Sequence, residues 1–230
     1  LRPDAVVIVA TVRALKYNGG VPKTELKTPD VDSLKKGVVN LKKHIENMQS
    51  YGIPVVVALN RFDTDSDAEL EAVRQACGEY GVPCALSEVF AKGGAGGLEL
   101  AEQVVHAIET APSAFKVLYD EQEPIKDKIN AIVTRIYGGK GAVYTPRAEK
   151  QIRLLEELGL DKKPVCMAKT QYSLSDNPAL LGRPEGFEVT VSAVRVSNGA
   201  GFIVVETGDI MVMPGLGKEP AANRIDIDEN

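Results

Sequence analysis

The chain has 230 residues, of which 44% are hydrophobic and 26% are charged, and its formal net charge is -5. This composition is typical of a globular protein that can bury a core in one large or two small domains, and the acidic balance argues against a nucleic-acid-binding protein. No apolar segment is long enough to span a bilayer and no signal peptide is recognisable, so we expect neither nucleic acid nor membrane as a partner.

The first part of the chain alternates between predicted strands and predicted helices. Short apolar runs that indicate strands lie at residues 5–10 (AVVIVA), 55–59 (VVVAL) and 84–86 (CAL). Helical spacing of apolar residues follows at 34–48, 65–80 and 98–108. The first two runs are continuous, as in strands buried on both faces of a parallel sheet. The alternation predicts part of a doubly wound, mostly parallel α/β sheet over residues 1–112, with ligands at the carboxyl ends of its strands.

The composition changes after residue 112. Amphipathic helices are predicted at 125–137 and 146–158, and short strands at 165–168, 187–196 and 202–206. A turn-rich tail follows, with the run Pro214-Gly215-Leu216-Gly217 and then Pro220. We therefore expect a smaller α+β domain over residues 113–230, packed on the first.

The cysteines Cys77, Cys84 and Cys166 have no spacing that is typical of a metal site. An odd number of thiols without such a spacing favours reduced, buried cysteines in a cytoplasmic protein. A catalytic thiol would need a nearby base, and both histidines, His44 and His106, lie inside helical patterns. We predict neither a metal bound by these side chains nor a cysteine nucleophile.

The loop predicted after the first strand carries two cations, Arg13 and Lys16, beside Asn18, Gly19 and Gly20. Glycines permit a close approach of the backbone or a positive φ, and the cations could meet a phosphate or a carboxylate. The same segment is equally compatible with a simple connection between a strand and a helix.

The segment Asn60-Arg61-Phe62-Asp63 follows the second predicted strand. An amide and a carboxylate at a strand end can recognise a base edge or a pterin, and the tetrad is similar to the NKxD motif with which GTPases recognise guanine. Phe62 is a large ring where the strand gives way to a polar loop. It is either a core residue or a stacking platform for a flat ligand.

Phe90 has the matching position after the third predicted strand, four residues beyond Leu86. Phe62 and Phe90 could face each other across a slot that fits a flat heteroaromatic ring. The glycine-rich run from Lys92 to Gly97 precedes a helix, where an anion could bind at the N-terminus. This run is not a P-loop, because the order G-x-x-x-x-G-K-[ST] is absent from the sequence.

Several long segments of the chain resemble formate–tetrahydrofolate ligases: VATVRALKYNGG (9–20), NRFDTD (60–65), LSEVFAKGGAGGLELAE (86–102), CMAKTQYSLSDNP (166–178) and GDIMVMPGLGKEPAANRIDID (208–228). The resemblance implies an ATP-dependent ligase that converts formate and tetrahydrofolate to 10-formyltetrahydrofolate through formyl phosphate. It also implies Mg2+, an activating K+ or NH4+ ion, and a cytoplasmic homotetramer.

In the family the nucleotide phosphates are held by a P-loop, and this chain has none. The chain also begins at Leu1-Arg2-Pro3 without an initiator Met. We therefore expect it to be the C-terminal portion of the enzyme, with the second half of the P-loop-type nucleotide- and folate-binding domain at residues 1–112. The chain would supply the folate pocket and would be inactive alone. The catalytic residues would lie outside the chain, so this sequence does not identify them.

By the same resemblance, Phe62 and Phe90 fall where the family sandwiches the pterin ring, and Leu86 lines that slot. The family typically has Trp at the position of Phe90, whereas this chain has no Trp, so a weaker folate stack is expected. From their position, Asn60 and Asp63 could contact the pterin or a base.

Three cations, Arg13, Lys16 and Lys92, are candidates for contacts with formate, phosphate or the folate glutamate. The segment Lys169-Thr170-Gln171 is either a ligand contact or a turn at a domain contact. Two alternatives stay open at this point: a GTPase-like module that recognises guanine through Asn60 and Asp63, or a portion that mainly builds the oligomer.

Overall fold

A computed structural model describes residues 2–210, 219–220 and 223 of the protein. The helices are α1 (Val12–Asn18), α2 (Val31–Ser50), α3 (Asp67–Glu79), α4 (Val89–Lys92), α5 (Leu98–Thr110), α6 (Ile125–Ala131) and α7 (Pro146–Glu157). The strands are β1 (Val6–Ala10), β2 (Val55–Asn60), β3 (Cys84–Ser87), β4 (Gly141–Tyr144), β5 (Val165–Ala168), β6 (Glu188–Ser197) and β7 (Phe202–Thr207). The turn-rich run at 214–217 and most of the last family-like segment lie outside the described residues.

The strands form two sheets, and the predicted α/β class is confirmed. The first sheet is parallel, with the order β1-β2-β3. Helices α2 and α3 pack on this sheet, and α5 packs against β2 and β3. The second sheet has the order β4-β6-β7-β5 and is mixed, because β6 and β7 are antiparallel whereas the two outer pairs are parallel.

Each sheet has its own hydrophobic core. One core joins β1 and β2 to α1, α2 and α3, and the other joins the second sheet to α6 and α7. The polar face of α2 links the two parts: Asn40 donates to the carbonyl of Gly182 at 2.8 Å, and Lys43 donates to the carbonyl of Arg135 at 2.9 Å. A domain boundary near residue 112 fits the two cores and stays a prediction.

Strand β1 differs from the prediction of a strand buried on both faces. Val7 and Val9 are 40% and 67% exposed, although their register partners Val56 and Ala58 are buried. In the described sheet β1 is an edge strand, and the helix near this face, α5, packs against β2 and β3. The apolar run alone could not show this, because exposure depends on which elements cover the strand. Strand β2 is buried as predicted.

The segment after β1 is also corrected, since it forms helix α1 rather than a loop. Thr11 caps this helix by accepting a hydrogen bond from the backbone of Ala14. Helices α1 and α2 cross closely: a Cβ on Gly19 would lie 1.8 Å from the Ser33 carbonyl oxygen, and one on Gly37 would lie 1.8 Å from that of Leu15. The close approach that Gly19 permits is therefore to another helix.

Two further features of the second part were not predicted. Strand β4 (Gly141–Tyr144) was missed because it begins at a glycine and has no continuous apolar, β-branched run. The predicted helix at 125–137 is α-helical to Ala131 and then forms wider π-type turns from Ile132 to Tyr137. It ends at Gly138, whose φ of 84° lies in the left-handed region that favours glycine.

Candidate functional site

A cleft opens at the carboxyl ends of β2 and β3. Its cavity has a volume of about 650 Å³ and is lined by Asn60, Arg61, Phe62, Asp63, Glu88, Phe90 and Ala91. The parallel register pairs Asn60 with Ser87, so the loops that follow the two strands lie side by side. A cavity of this size is typical of sites for small organic ligands. The structure thus brings together four of the predicted residues: Asn60, Phe62, Asp63 and Phe90.

The loop that carries Phe62 is held by a tight turn. The backbone N–H of Phe62 donates to the Asp65 carboxylate at 2.8 Å, and the N–H of Asp65 donates to the Phe62 carbonyl at 3.0 Å. Asp65 is buried, and this burial raises the pKa of its carboxyl group. The ring of Phe62 is half-buried, and the guanidinium carbon of Arg13 lies 4.2 Å from its centroid. The turn and the guanidinium therefore hold the Phe62 loop and its ring in place.

Phe90 projects from the short helix α4 and is 99% exposed. The glycine-rich segment behind it forms a 3-10 turn that folds back on Glu88, whose backbone N–H donates to the Gly96 carbonyl at 2.9 Å. A Cβ on Gly96 would lie 2.5 Å from the Glu88 carbonyl oxygen. The glycine is thus needed for the backbone contact that places α4 at the cleft.

Charged side chains surround the two rings. Lys92 pairs with Glu88 at 2.5 Å, and this hydrogen bond lowers the pKa of the Glu88 carboxyl group. Arg61 lies 3.5 Å from Glu88 and 3.4 Å from Asp67, distances that make weak contacts at an exposed site. Glu88, which the sequence reasoning did not select, therefore anchors Lys92 and could have been found from their i, i+4 spacing.

The amino-acid sequence around this cleft, and along the rest of the chain, matches a known protein family. The model of the formate–tetrahydrofolate ligase family matches residues 1–230. The chain belongs to this family. Members are ligases that join formate to tetrahydrofolate, with ATP and tetrahydrofolate as substrates. Within the part of the chain that the structure describes, no helix is both long enough and apolar enough to cross a membrane.

Three other residues that were predicted to contact a ligand do not line the cleft: Lys16, Leu86 and Arg13. Lys16 is fully buried and pairs with Glu69 at 2.8 Å while it donates to the Thr28 carbonyl at 2.9 Å. In the structure it is not free to bind an anion, because a buried carboxylate already neutralises it. Leu86 lies in β3 and packs against the first core, outside the residues that line the cleft. Arg13 is half-buried, and its guanidinium lies against the Phe62 ring.

Lys169, in the family-like segment CMAKTQYSLSDNP, stabilises its own turn. Its ammonium group donates to the carbonyls of Thr170 at 2.8 Å and Ser175 at 3.2 Å, and to that of Ser173. Burial lowers the pKa of Lys169 to about 8. All three ammonium protons are used within the turn, which favours the interpretation of this segment as a structural turn. It lies beside a cavity of about 260 Å³ that residues of both halves line.

Proposed function

We propose that this chain supplies the folate-binding pocket of a formate–tetrahydrofolate ligase, with the pterin ring between Phe62 and Phe90. The observation that carries the proposal is that one cleft at the strand ends contains both rings. Flat ligands bind between aromatic faces through dispersion and offset stacking. The family match supports a folate as the flat ligand.

Polar groups at the rim of the cleft suit the hydrogen-bonding edge of a pterin. Asn60 offers an amide that can both donate and accept, and the exposed carboxylate of Asp63 can accept from an amino group and a ring N–H. Stacking would fix the plane of the pterin, and these two side chains would fix its rotation within that plane. The chain would thereby hold the folate amine in one orientation for attack on the formyl donor.

The sequence contains no P-loop for the phosphates of Mg2+-bound ATP. No cluster of three or more metal-ligating side chains occurs in the described residues. In this proposal the phosphoryl chemistry, the Mg2+ site and the site of the K+ or NH4+ ion are formed by residues outside the chain. The chain alone would then yield no 10-formyltetrahydrofolate from formate, ATP and tetrahydrofolate, and a cytoplasmic homotetramer would be the working assembly.

The test is a calorimetric titration of the protein with tetrahydrofolate under anaerobic conditions. Phe62→Ala and Phe90→Ala should each weaken binding by roughly 5- to 150-fold, the loss expected for one stacked base. Phe202→Ala is the matched control, because Phe202 is a half-exposed ring in β7, in the second sheet. Unchanged affinity in both cleft variants would contradict the proposal. Preferential binding of GTP that Asn60→Ala abolishes would favour a guanine site instead.

A further inference from the structure

The two phenylalanines of the cleft differ in what lies behind them. Phe90 is 99% exposed, so both faces of its ring are open. Phe62 has the Arg13 guanidinium at 4.2 Å from its ring centroid. That distance lies within the range of an energetically significant cation–π contact. One face of Phe62 is therefore occupied by a cation before any ligand binds.

Arg13 is held in this position by its own surroundings. Its guanidinium donates to the Thr64 hydroxyl at 3.2 Å, whereas its Nε atom is buried without a hydrogen-bond partner among the described residues, so the Thr64 contact and the Phe62 ring are what hold it. Helix α1, which carries Arg13, is fixed against α2 by the close approach at Gly19. Because the guanidinium is partly removed from water, its attraction to the ring is stronger than at an exposed site.

A cation on one face of an aromatic ring changes the opposite face. The face of a phenyl ring carries partial negative charge, which repels electron-rich rings stacked on it. A guanidinium draws π density toward itself, so the free face becomes less negative. An electron-rich ligand ring therefore stacks more strongly on the free face. An electron-poor ring gains less stacking strength, or stacks more weakly.

We propose that Arg13 is a positioning residue that makes the folate site selective for the reduced pterin. In tetrahydrofolate, two ring amines feed electron density into the pyrimidinone ring, whereas the fully oxidised pteridine of folic acid is electron-poor. Arg13 thus favours the reduced substrate through Phe62, without touching the ligand. This inference rests on the proposed function, since it requires the pterin to stack on the face of Phe62 opposite Arg13. Arg13 is not among the described residues that line the cleft, which supports that arrangement.

The experiment measures affinity for tetrahydrofolate and for folic acid by calorimetry, under anaerobic conditions, in the unmodified protein and four variants. Arg13→Met and Arg13→Gln remove the charge, and Arg13→Lys keeps it. Lys42→Met is the matched control, because Lys42 lies 5.1 Å from the ring centroid of Tyr80, outside the cleft lining. Thermal unfolding of each variant shows which of them are folded. If one of the two neutral variants does not fold, the other is used for the comparison.

The neutral variants should bind tetrahydrofolate about tenfold more weakly and folic acid about twofold more weakly, so that the ratio of the two affinities falls about fivefold. Arg13→Lys should retain most of the ratio, and Lys42→Met should change neither affinity. An unchanged ratio of the two affinities would overturn the inference. If both affinities fell equally, Arg13 would have a structural role only. Failure of the unmodified protein to bind tetrahydrofolate would instead overturn the proposed function, and this inference with it.

Discussion

Replacing Glu69 by glutamine should destabilise the protein strongly, because Glu69 is the negative member of a buried ion pair. Both Glu69 and Lys16 have side chains that are 0% exposed, and their charged atoms lie 2.8 Å apart. The carboxylate also accepts from the backbone N–H groups of Asp30 at 2.9 Å and Ser66 at 3.0 Å. The pair thereby ties α1 to the start of α2 and α3. Glutamine would leave the Lys16 ammonium buried without a counter-charge.

The magnitude follows from two independent arguments. Removing one partner of a buried ion pair typically costs about 3–5 kcal/mol. Burial alone would raise the pKa of Glu69, but hydrogen bonds from Lys16, Ser66 and Asp30 outweigh it and lower the pKa from 4.5 to about 2. A shift of this size corresponds to roughly 3 kcal/mol of stability at neutral pH. Because the pKa is lower in the folded state, this contribution is present above pH 4.5 and is lost as the pH falls toward about 2.

The assay is equilibrium unfolding in urea at neutral pH and along a series of acidic pH values. Glu69→Gln and Lys16→Met should each lower the free energy of unfolding by about 3–5 kcal/mol at neutral pH. The double variant Lys16→Met/Glu69→Gln should lose clearly less than the sum of the two single losses, since it leaves no unpaired charge. Glu69→Gln should also be less sensitive to acid below pH 4.5. Additive losses, or a loss under about 1 kcal/mol in Glu69→Gln, would refute the reasoning.

Three further predictions concern single positions in the cleft and the helix packing. Phe90→Trp should tighten tetrahydrofolate binding about three- to tenfold, because indole offers a larger stacking surface, and calorimetry measures this. Gly37→Ala should lower the free energy of unfolding by about 1–3 kcal/mol or more, since its Cβ would overlap a carbonyl oxygen of α1. Gly78→Ala is the control: it has open space around it and should be neutral or stabilise the protein by up to about 1 kcal/mol. Gly96→Ala should displace the Glu88 backbone and weaken folate binding, and equal affinity in this variant would contradict the role of the glycine-rich segment.

The features that the sequence predicted well are those that local patterns determine. The five apolar residues of 55–59 form all of β2 except its last residue, Asn60, and apolar residues at helical spacing mark α2. The general rule that ligands bind at the carboxyl ends of parallel strands led to the loops at Phe62 and Phe90, and the structure places both in one cleft. The sequence shows which loop follows each strand, and parallel strands bring such loops to the same edge of the sheet.

The features that the sequence missed depend on contacts between distant residues. Lys16 and Glu69 are 53 positions apart, and nothing in either local segment shows that they pair. The exposure of Val9 depends on which elements cover β1. Arg13 was one of three candidates for an anion contact, and its cation–π contact with Phe62 could not be foreseen from the sequence, because it depends on the packing of α1. Contacts between residues distant in sequence therefore determine the positions of Lys16 and Arg13, which local sequence patterns do not show.

The most direct test of the central claim is a crystal structure of the protein with a tetrahydrofolate analogue bound. We predict that the pterin lies between Phe62 and Phe90, within about 4 Å of each ring. Its polar edge should point toward Asn60 and Asp63, and Arg13 should lie on the face of Phe62 that the pterin leaves free. A pterin bound elsewhere, for example in the cavity that Thr170 and Tyr172 line, would contradict it.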